Sequence, residues 1–292
     1  MTADDFGIGP STSRGILDLA QRGVVTSTVL LVNSPYAGDA VSEWRKQGCP
    51  LEVGWHPSLT LDAPILDPVR VPSLVGADGR FLPLGQFLKR LIRGRIRGDE
   101  IEVEFRAQLR KYMDLVGEAP ANVNAHHHVH IFGPVGRALR TVLGASEPKP
   151  YLRRVMEPMR TLTGIGGARV KRFALTRIGR RAANRQAAEG LPGAEWLLGI
   201  TDPPFVHRDD FFAKWLAAAP GQCVELTCHP GILDATIEGR DGSMTDGQLH
   251  RRQREYDLLS RPEFAEAVQS AGFELRDAAS LSRICQLSHL AG

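Results

Sequence analysis

The chain has 292 residues, 42% of them hydrophobic and 24% charged, with a formal net charge of +3. This composition is that of a soluble globular protein long enough to bury a full core, and α/β barrels use roughly 250 residues as one domain. No apolar run reaches the ~18 residues of a membrane span, no secretory signal is read at Met1-Thr2-Ala3, and the scattered Cys49, Cys223, Cys228 and Cys285 read as free cytoplasmic thiols.

In chain order, a helix is predicted over Ser13–Arg22 and a strand over Val24–Asn33. Leu51–His56 reads as a strand that ends on a histidine. Asp99–Val116 reads as an amphipathic helix, with Ile101, Phe105, Leu109, Tyr112 and Met113 on one face. A strand over Ala121–Ile131 and a helix over Pro134–Leu143 follow. Cys223–Cys228 is a further strand, Pro262–Ala271 a helix and Phe273–Leu275 the last strand. Alternating strands and helices point to an α/β fold with a parallel sheet or barrel. The Pro-, Gly- and Arg-rich stretch 61–98 and the irregular stretch 148–204 read as two long insertions in one domain over residues 1–292, and long loops on such a scaffold usually carry function.

Charge is uneven. Ten Arg and Lys side chains lie between Arg153 and Arg185. They read either as a solvated basic face or as a surface for an anionic partner, such as a membrane or a phosphorylated substrate. Aromatic residues are sparse there, so nucleic acid is not the expected partner.

Four of nine histidines fall within five positions, His126, His127, His128 and His130. Along a strand, His126, His128 and His130 would share one face. Three imidazoles on one face fit a metal, which takes them neutral. Such a metal also wants a carboxylate, and Asp4-Asp5 offers two. Neighbouring carboxylates at a strand end point different ways, so one could ligate while the other serves as general base. The ordinary alternative for that pair is to cap the helix that follows. His56 and His229 each end a strand, at the rim where a parallel barrel carries its catalytic groups.

As a set, these segments resemble the YdjC-type carbohydrate deacetylases, which include chitooligosaccharide deacetylases and hopanoid-biosynthesis-associated deacetylases. The resemblance rests on Ala3-Asp4-Asp5-Phe6-Gly7, Val25-Thr26-Ser27-Thr28, Leu31-Val32-Asn33, Gly54-x-His56 with Leu59-Thr60, His126-x-His128-Val129-His130, and Glu225-Leu226-x-Cys228-His229-Pro230-Gly231. It covers nearly the whole chain in the right order. It implies a distorted (β/α) TIM-like barrel with long loop insertions, and removal of the N-acetyl group from an amino sugar. It also implies one divalent metal, magnesium or zinc, on Asp5, His56 and His126. By the same resemblance Asp4 is the general base, His229 an acid or substrate contact, His128 and His130 supporting groups on the substrate side, and Arg154 a substrate-side arginine.

The family carries several apolar residues before Ala3, so the natural start is expected upstream, with Asp4 and Asp5 otherwise poorly anchored. Asn124 and Pro72–Phe81 are closer to the hopanoid-type members, and Ile232–Ile237 to the chitooligosaccharide type. The expected partner is an N-acetylated amino sugar on an oligosaccharide or a glycolipid. Peripheral membrane contact through 153–185 goes with the latter, and a homodimer is left open. Competing readings are a metal-dependent phosphoesterase on a similar barrel, and an inactive or truncated metal- or sugar-binding paralogue.

Overall fold

The computed structural model describes residues 1–221, 223–241 and 247–281; Cys285 lies outside them. In chain order the elements are β1 (Thr2–Phe6), α1 (Pro10–Gln21), β2 (Ser27–Leu30), α2 (Ala37–Lys46), β3 (Glu52–Trp55), α3 (Leu84–Ile92), α4 (Gly98–Val116) and β4 (Asn122–Val123). There follow α5 (Gly133–Leu143), β5 (Tyr151–Leu152), α6 (Met159–Gly164), α7 (Arg169–Ala188), β6 (Trp196–Leu198), α8 (Phe211–Ala218), β7 (Val224–Cys228), α9 (Gln248–Leu259) and α10 (Pro262–Ser270).

Among the described residues the strands form one seven-stranded sheet, in the order β5-β4-β3-β2-β1-β7-β6, and every pairing is parallel. The sheet curls into an incomplete barrel. Its two edges approach where Leu152 N–H donates to the Pro192 carbonyl and Leu197 N–H to that of Met156. Parallel strands buried on both faces need helices around them, which the βα repeats supply. Among the described residues, no helix is long and apolar enough to cross a membrane. Cys49 and Cys228 are free thiols.

β1 lies in the centre of the sheet, paired with β2 on one side and β7 on the other, and all five of its residues are buried. Asp4 and Asp5 are therefore firmly held, contrary to the expectation of a poorly anchored end. The β1–β2 register slips by one residue between Ala3 and Phe6, and Asp5 adopts a left-handed φ of 68°. Such a bulge inserts one residue into a strand and re-aims its side chains. The pair does not cap α1: that helix starts at Gly9-Pro10, and Asp234 from a distant loop accepts from Ser11 N–H and Thr12 N–H.

Close approach is also needed between β3 and β4. A Cβ on Gly54 would stand 2.3 Å from the Asn122 carbonyl oxygen. That contact is open only to glycine, and it brings His56 and Asn124 to the same strand end.

The helix α4 buries Ile101, Phe105 and Tyr112 as its spacing predicts, but Met113 is exposed. Its buried face also carries polar pins. Glu104 accepts from Ile65 N–H and Leu66 N–H, Glu100 from Ser73 N–H, and Gln108 both accepts from Ser58 N–H and donates to its carbonyl. These bonds fasten the 61–98 stretch, so that α3 stands at the rim of the barrel. The 148–204 stretch is more regular than its composition suggests. It contributes β5, β6 and the 20-residue helix α7.

Two further readings are corrected. Residues 126–131 form a 3-10 segment in which His127 and His128 have left-handed φ values of 54° and 55°. The strand before them ends at Val123, so His126, His128 and His130 do not share a strand face. Phe273–Leu275 is irregular rather than a strand. Neither segment has a ladder partner to hold it extended.

Candidate active site

The strand ends open into a cavity of about 640 Å³, within the usual range for ligand sites. Asp4, Asp5, His56, His126, His128 and His229 all line it. His130 and Arg154 do not. His130 is buried beneath the site, with Nε2 3.1 Å from the Arg153 carbonyl oxygen, and Arg154 donates to the Leu191 carbonyl.

Asp5, His56 and His126 converge. Asp5 Oδ1 lies 3.2 Å from His56 Nε2 and 3.0 Å from His126 Nδ1, and the two nitrogens are 3.4 Å apart. At metal–ligand bonds of about 2.1 Å, cis ligands of an octahedron stand about 3.0 Å apart and those of a tetrahedron about 3.4 Å. The spacing thus fits a small divalent cation. The ring orientations fit too. His56 Nδ1 is 2.7 Å from the Asn124 carbonyl oxygen, so its proton sits there and Nε2 keeps its lone pair for the cluster. His126 uses the opposite nitrogen: Nε2 meets Asp241 Oδ1 at 3.2 Å, and Nδ1 faces Asp5. Burial alone would lower the His126 pKa, but the Asp5 and Asp241 carboxylates outweigh it and hold it up at about 10. The cage favours positive charge at its centre, and a bound metal would displace that proton.

Asp4 occupies a different environment. Arg153 is fully buried and grips it twice, at 2.6 Å to Oδ2 and 2.9 Å to Oδ1. Asn124 Nδ2 donates to Oδ1 at 3.3 Å. Burial pushes the Asp4 pKa up, yet Arg153 overrides it and holds the carboxyl well below the usual range. The same guanidinium binds Glu225, to which the Tyr151 hydroxyl also donates. An amide at position 124 suits this setting, since a carboxylate there would face Asp4 with like charge. Asp4 is thus an ionised, hydrogen-bonded carboxylate beside the cage, and the two neighbouring aspartates have separate surroundings.

His229 stands 3.9 Å from Asp4 Oδ2 through Nε2. Its Nδ1 is 3.4 Å from Arg251 Nη2 and so accepts, which leaves the proton on Nε2. Burial, and then Arg251, bring its pKa down to about 4. His229 is accordingly neutral at pH 7, with its Nε2 proton on the side of Asp4. His128 is likewise kept neutral, by burial first and Arg153 second.

Several residues of the site were not singled out from the sequence. Arg153, rather than its neighbour Arg154, enters the centre. Tyr151 and Arg153 are two apart on one strand line, and both reach Glu225, which is the period-2 signal that selects position 153. Asp241 and Arg252 arrive from the far end of the chain: Arg252 Nη2 donates at 2.6 Å to Asp5 Oδ2 and at 2.6 Å to Asp241 Oδ2. His127, one of the four clustered histidines already noted in the sequence, lines the cavity too, with its Nδ1 2.9 Å from Thr60 Oγ1.

Comparison with known proteins gives a consistent set of relatives. A family model described as YdjC-like protein matches residues 1–270. A carbohydrate deacetylase of Enterococcus faecalis is 28% identical over 286 residues, 97% of each chain. Chitooligosaccharide deacetylases of Klebsiella pneumoniae and Yersinia pestis are 28% and 27% identical, each covering 94% of this chain and 95% of the relative. A crystal structure from E. faecalis V583, described as a candidate cellobiose-phosphate cleavage protein, superposes with a TM-score of 0.75 at 26% identity, covering 96% of this chain and 97% of that one.

Proposed function

The chain belongs to the YdjC-like protein family, and on that premise we propose that it is a metal-dependent carbohydrate deacetylase that hydrolyses the N-acetyl amide of an amino sugar. The observation that carries this reading is the buried cage of Asp5, His56 and His126 with the ionised Asp4 beside it, in one cavity. Curated relatives over nearly the full length are named deacetylases of carbohydrate or chitooligosaccharide. Two imidazoles and one carboxylate are a donor set that suits zinc better than magnesium.

A divalent cation bound there supplies Lewis-acid polarisation of the acetyl carbonyl and acidifies water. The chain's own groups do the rest. Asp4 accepts the proton of the attacking water. It then passes that proton to the departing amine nitrogen as the C–N bond breaks. Acetate and the free amine result. His229, neutral with its proton on Nε2, donates a hydrogen bond towards the oxygen on which negative charge develops. Arg153 keeps Asp4 ionised at the start of each cycle.

The cavity walls favour a glycolipid over a free oligosaccharide. One wall is apolar, made by Leu84 and Leu88 of α3, Leu175 of α7, Phe132 and Ile200. On the same two helices, Ile92 and Val170 are each 86% exposed and Phe173 49%. α7 contains no acidic residue, and among the described residues Arg177, Arg180, Arg181 and Arg185 pair with no carboxylate. Exposed apolar groups beside unpaired cations suit an anionic bilayer surface. A hopanoid glycolipid with an N-acetylated amino-sugar headgroup is a substrate of this kind.

Acetate release tests both levels. Zinc-loaded protein is expected to release acetate from N-acetylglucosaminyl lipid in anionic vesicles faster than from N-acetylglucosamine oligomers. Release from oligomers alone removes the lipid assignment, and release from neither removes the deacetylase assignment.

A further inference from the structure

We propose that Asp241 is a positioning residue for the metal site: it fixes which nitrogen of His126 faces the cage, and through Arg252 it couples that choice to the orientation of Asp5. This rests on the reading of Asp5, His56 and His126 as metal ligands, and it assigns a role to a segment distant in sequence from all three.

A neutral imidazole has one proton and one lone pair, and its partners decide which nitrogen carries which. For His56 the Asn124 backbone carbonyl decides, at 2.7 Å from Nδ1. For His126 no backbone acceptor is found at its ring nitrogens among the described residues. The acceptor at Nε2 is Asp241 Oδ1, at 3.2 Å. With the proton held there, Nδ1 presents its lone pair alongside Asp5 Oδ1, 3.0 Å away, and His56 Nε2, 3.4 Å away. Without Asp241, the imidazole is free to protonate on Nδ1 and donate to Asp5, which blocks the ligating position.

The second oxygen of Asp241 extends the arrangement. Arg252 Nη2 donates both to Asp241 Oδ2 and to Asp5 Oδ2, so Asp5 is left with Oδ1 towards the two histidines. Asp241, Arg252, Asp5 and His126 thereby close a ring around one edge of the cage. The charges agree with this role. Asp5 and Asp241 carry two negative charges and Arg252 one positive, a net of −1 to meet a divalent cation; removing Asp241 brings that sum to zero. Asp241 is itself firmly placed. The preceding Arg240 is bound by the Asp62 carboxylate, by the Ile8 carbonyl and by Ser34 Oγ.

Co2+ is a suitable probe, because its visible absorption reports the geometry of its ligands independently of turnover. In the full-length chain we expect one Co2+ per molecule, lost in His126→Ala. Asp241→Ala should weaken Co2+ affinity by about 10–100-fold, the usual effect of losing a group that orients a ligand, with the far-UV circular dichroism of the metal-free protein unchanged. Asp241→Glu, which restores an anionic acceptor, should recover most of the affinity and the parent spectrum. Asp241→Asn retains an acceptor but not the charge and should fall between, and it serves if the alanine variant does not fold. An Asp241→Ala affinity within two-fold of the parent overturns the proposal. So does a glutamate variant no better than alanine, or a parent that binds two Co2+ and loses one with Asp241, which would make Asp241 a ligand with His126 and His127. A parent chain that binds no Co2+ overturns the underlying reading together with the proposal.

Discussion

Replacing Arg153 by methionine is the most informative single change to the centre of the barrel. Arg153 has no exposed surface and joins Asp4 of β1 to Glu225 of β7, with four hydrogen bonds of 2.6–2.9 Å. Methionine fills similar space but leaves two buried carboxylates without a counter-charge. Breaking a buried pair by removing one partner costs about 3–5 kcal/mol. For a domain of this size that lowers the melting temperature by roughly 10 °C. The loss should depend on pH with a definite sign. In the parent, Arg153 holds the Asp4 pKa well below its ordinary value. In the variant, burial outweighs the weaker pull of His56 and His229 and lifts it above that value, so the folded state takes up protons that the unfolded state does not. Variant stability therefore falls as pH rises through the lifted pKa. The gap between parent and variant should be widest at pH 7–8 and shrink towards pH 5. Urea unfolding followed by circular dichroism at pH 5, 6, 7 and 8 measures this. A gap under 1 kcal/mol at pH 7, or one that widens on acidification, refutes the reasoning. A variant that also carries Glu225→Gln should regain part of the loss.

Two further changes probe the frame around the site. His130 is buried, and that burial, opposed by the hydrogen bond to the Arg153 carbonyl and aided by the Arg153 charge, brings its pKa down to about 4. Between that value and its ordinary 6.5 the unfolded chain binds a proton that the folded one does not, so stability rises with pH across this window and is lost as pH falls through it. One such group contributes about 1.4 kcal/mol per pH unit, or about 3 kcal/mol in all; His130→Gln should flatten the acid limb of the stability curve by about that amount, and an unchanged limb contradicts it. Gly54→Ala puts a Cβ 2.3 Å from the Asn122 carbonyl oxygen. Forcing β3 and β4 apart should cost about 3 kcal/mol in urea unfolding, at the upper end for overpacking, and reduce turnover because His56 and Asn124 shift with their strands; near-parent stability would argue against the tight approach.

Much of this site was legible in the sequence because a parallel barrel gathers its functional groups at strand ends. His56 and His229 each end a run that reads as extended, Asp4 and Asp5 stand out as adjacent carboxylates, and all four line the cavity. The helix α4 was legible from its period, as far as its apolar residues go. Its buried Glu100, Glu104 and Gln108 were not, since polar residues on a helix read as its outer face until a loop is known to need them. The histidine cluster misled for a related reason. Four histidines in five positions invite a strand's alternation, but the β4 ladder ends at Val123 and the chain then turns through two left-handed residues, His127 and His128. Two non-glycine residues in that region cost about 1–3 kcal/mol each, and such strain concentrates at functional sites. Here it turns His126 into the cage and leaves His130 under the Arg153 carbonyl. The short strands β5 and β6 were hidden in an arginine-rich stretch, where two or three residues give no periodic signal. Asp241 and Arg252 had no local signal at all; what defines them is contact with Asp5 and His126 from the opposite end of the chain.

The division of labour between the two neighbouring aspartates is the core of the proposed chemistry. It is tested most directly by measuring bound metal and acetate release on the same preparation of Asp4→Asn, with His126→Ala in parallel. We predict that Asp4→Asn keeps the metal content of the parent while its turnover drops by about 10²–10⁴-fold, the usual worth of a general base, whereas His126→Ala loses the metal and the turnover together. Loss of metal from Asp4→Asn to the same degree as from His126→Ala, or parent-like turnover in Asp4→Asn, would contradict it.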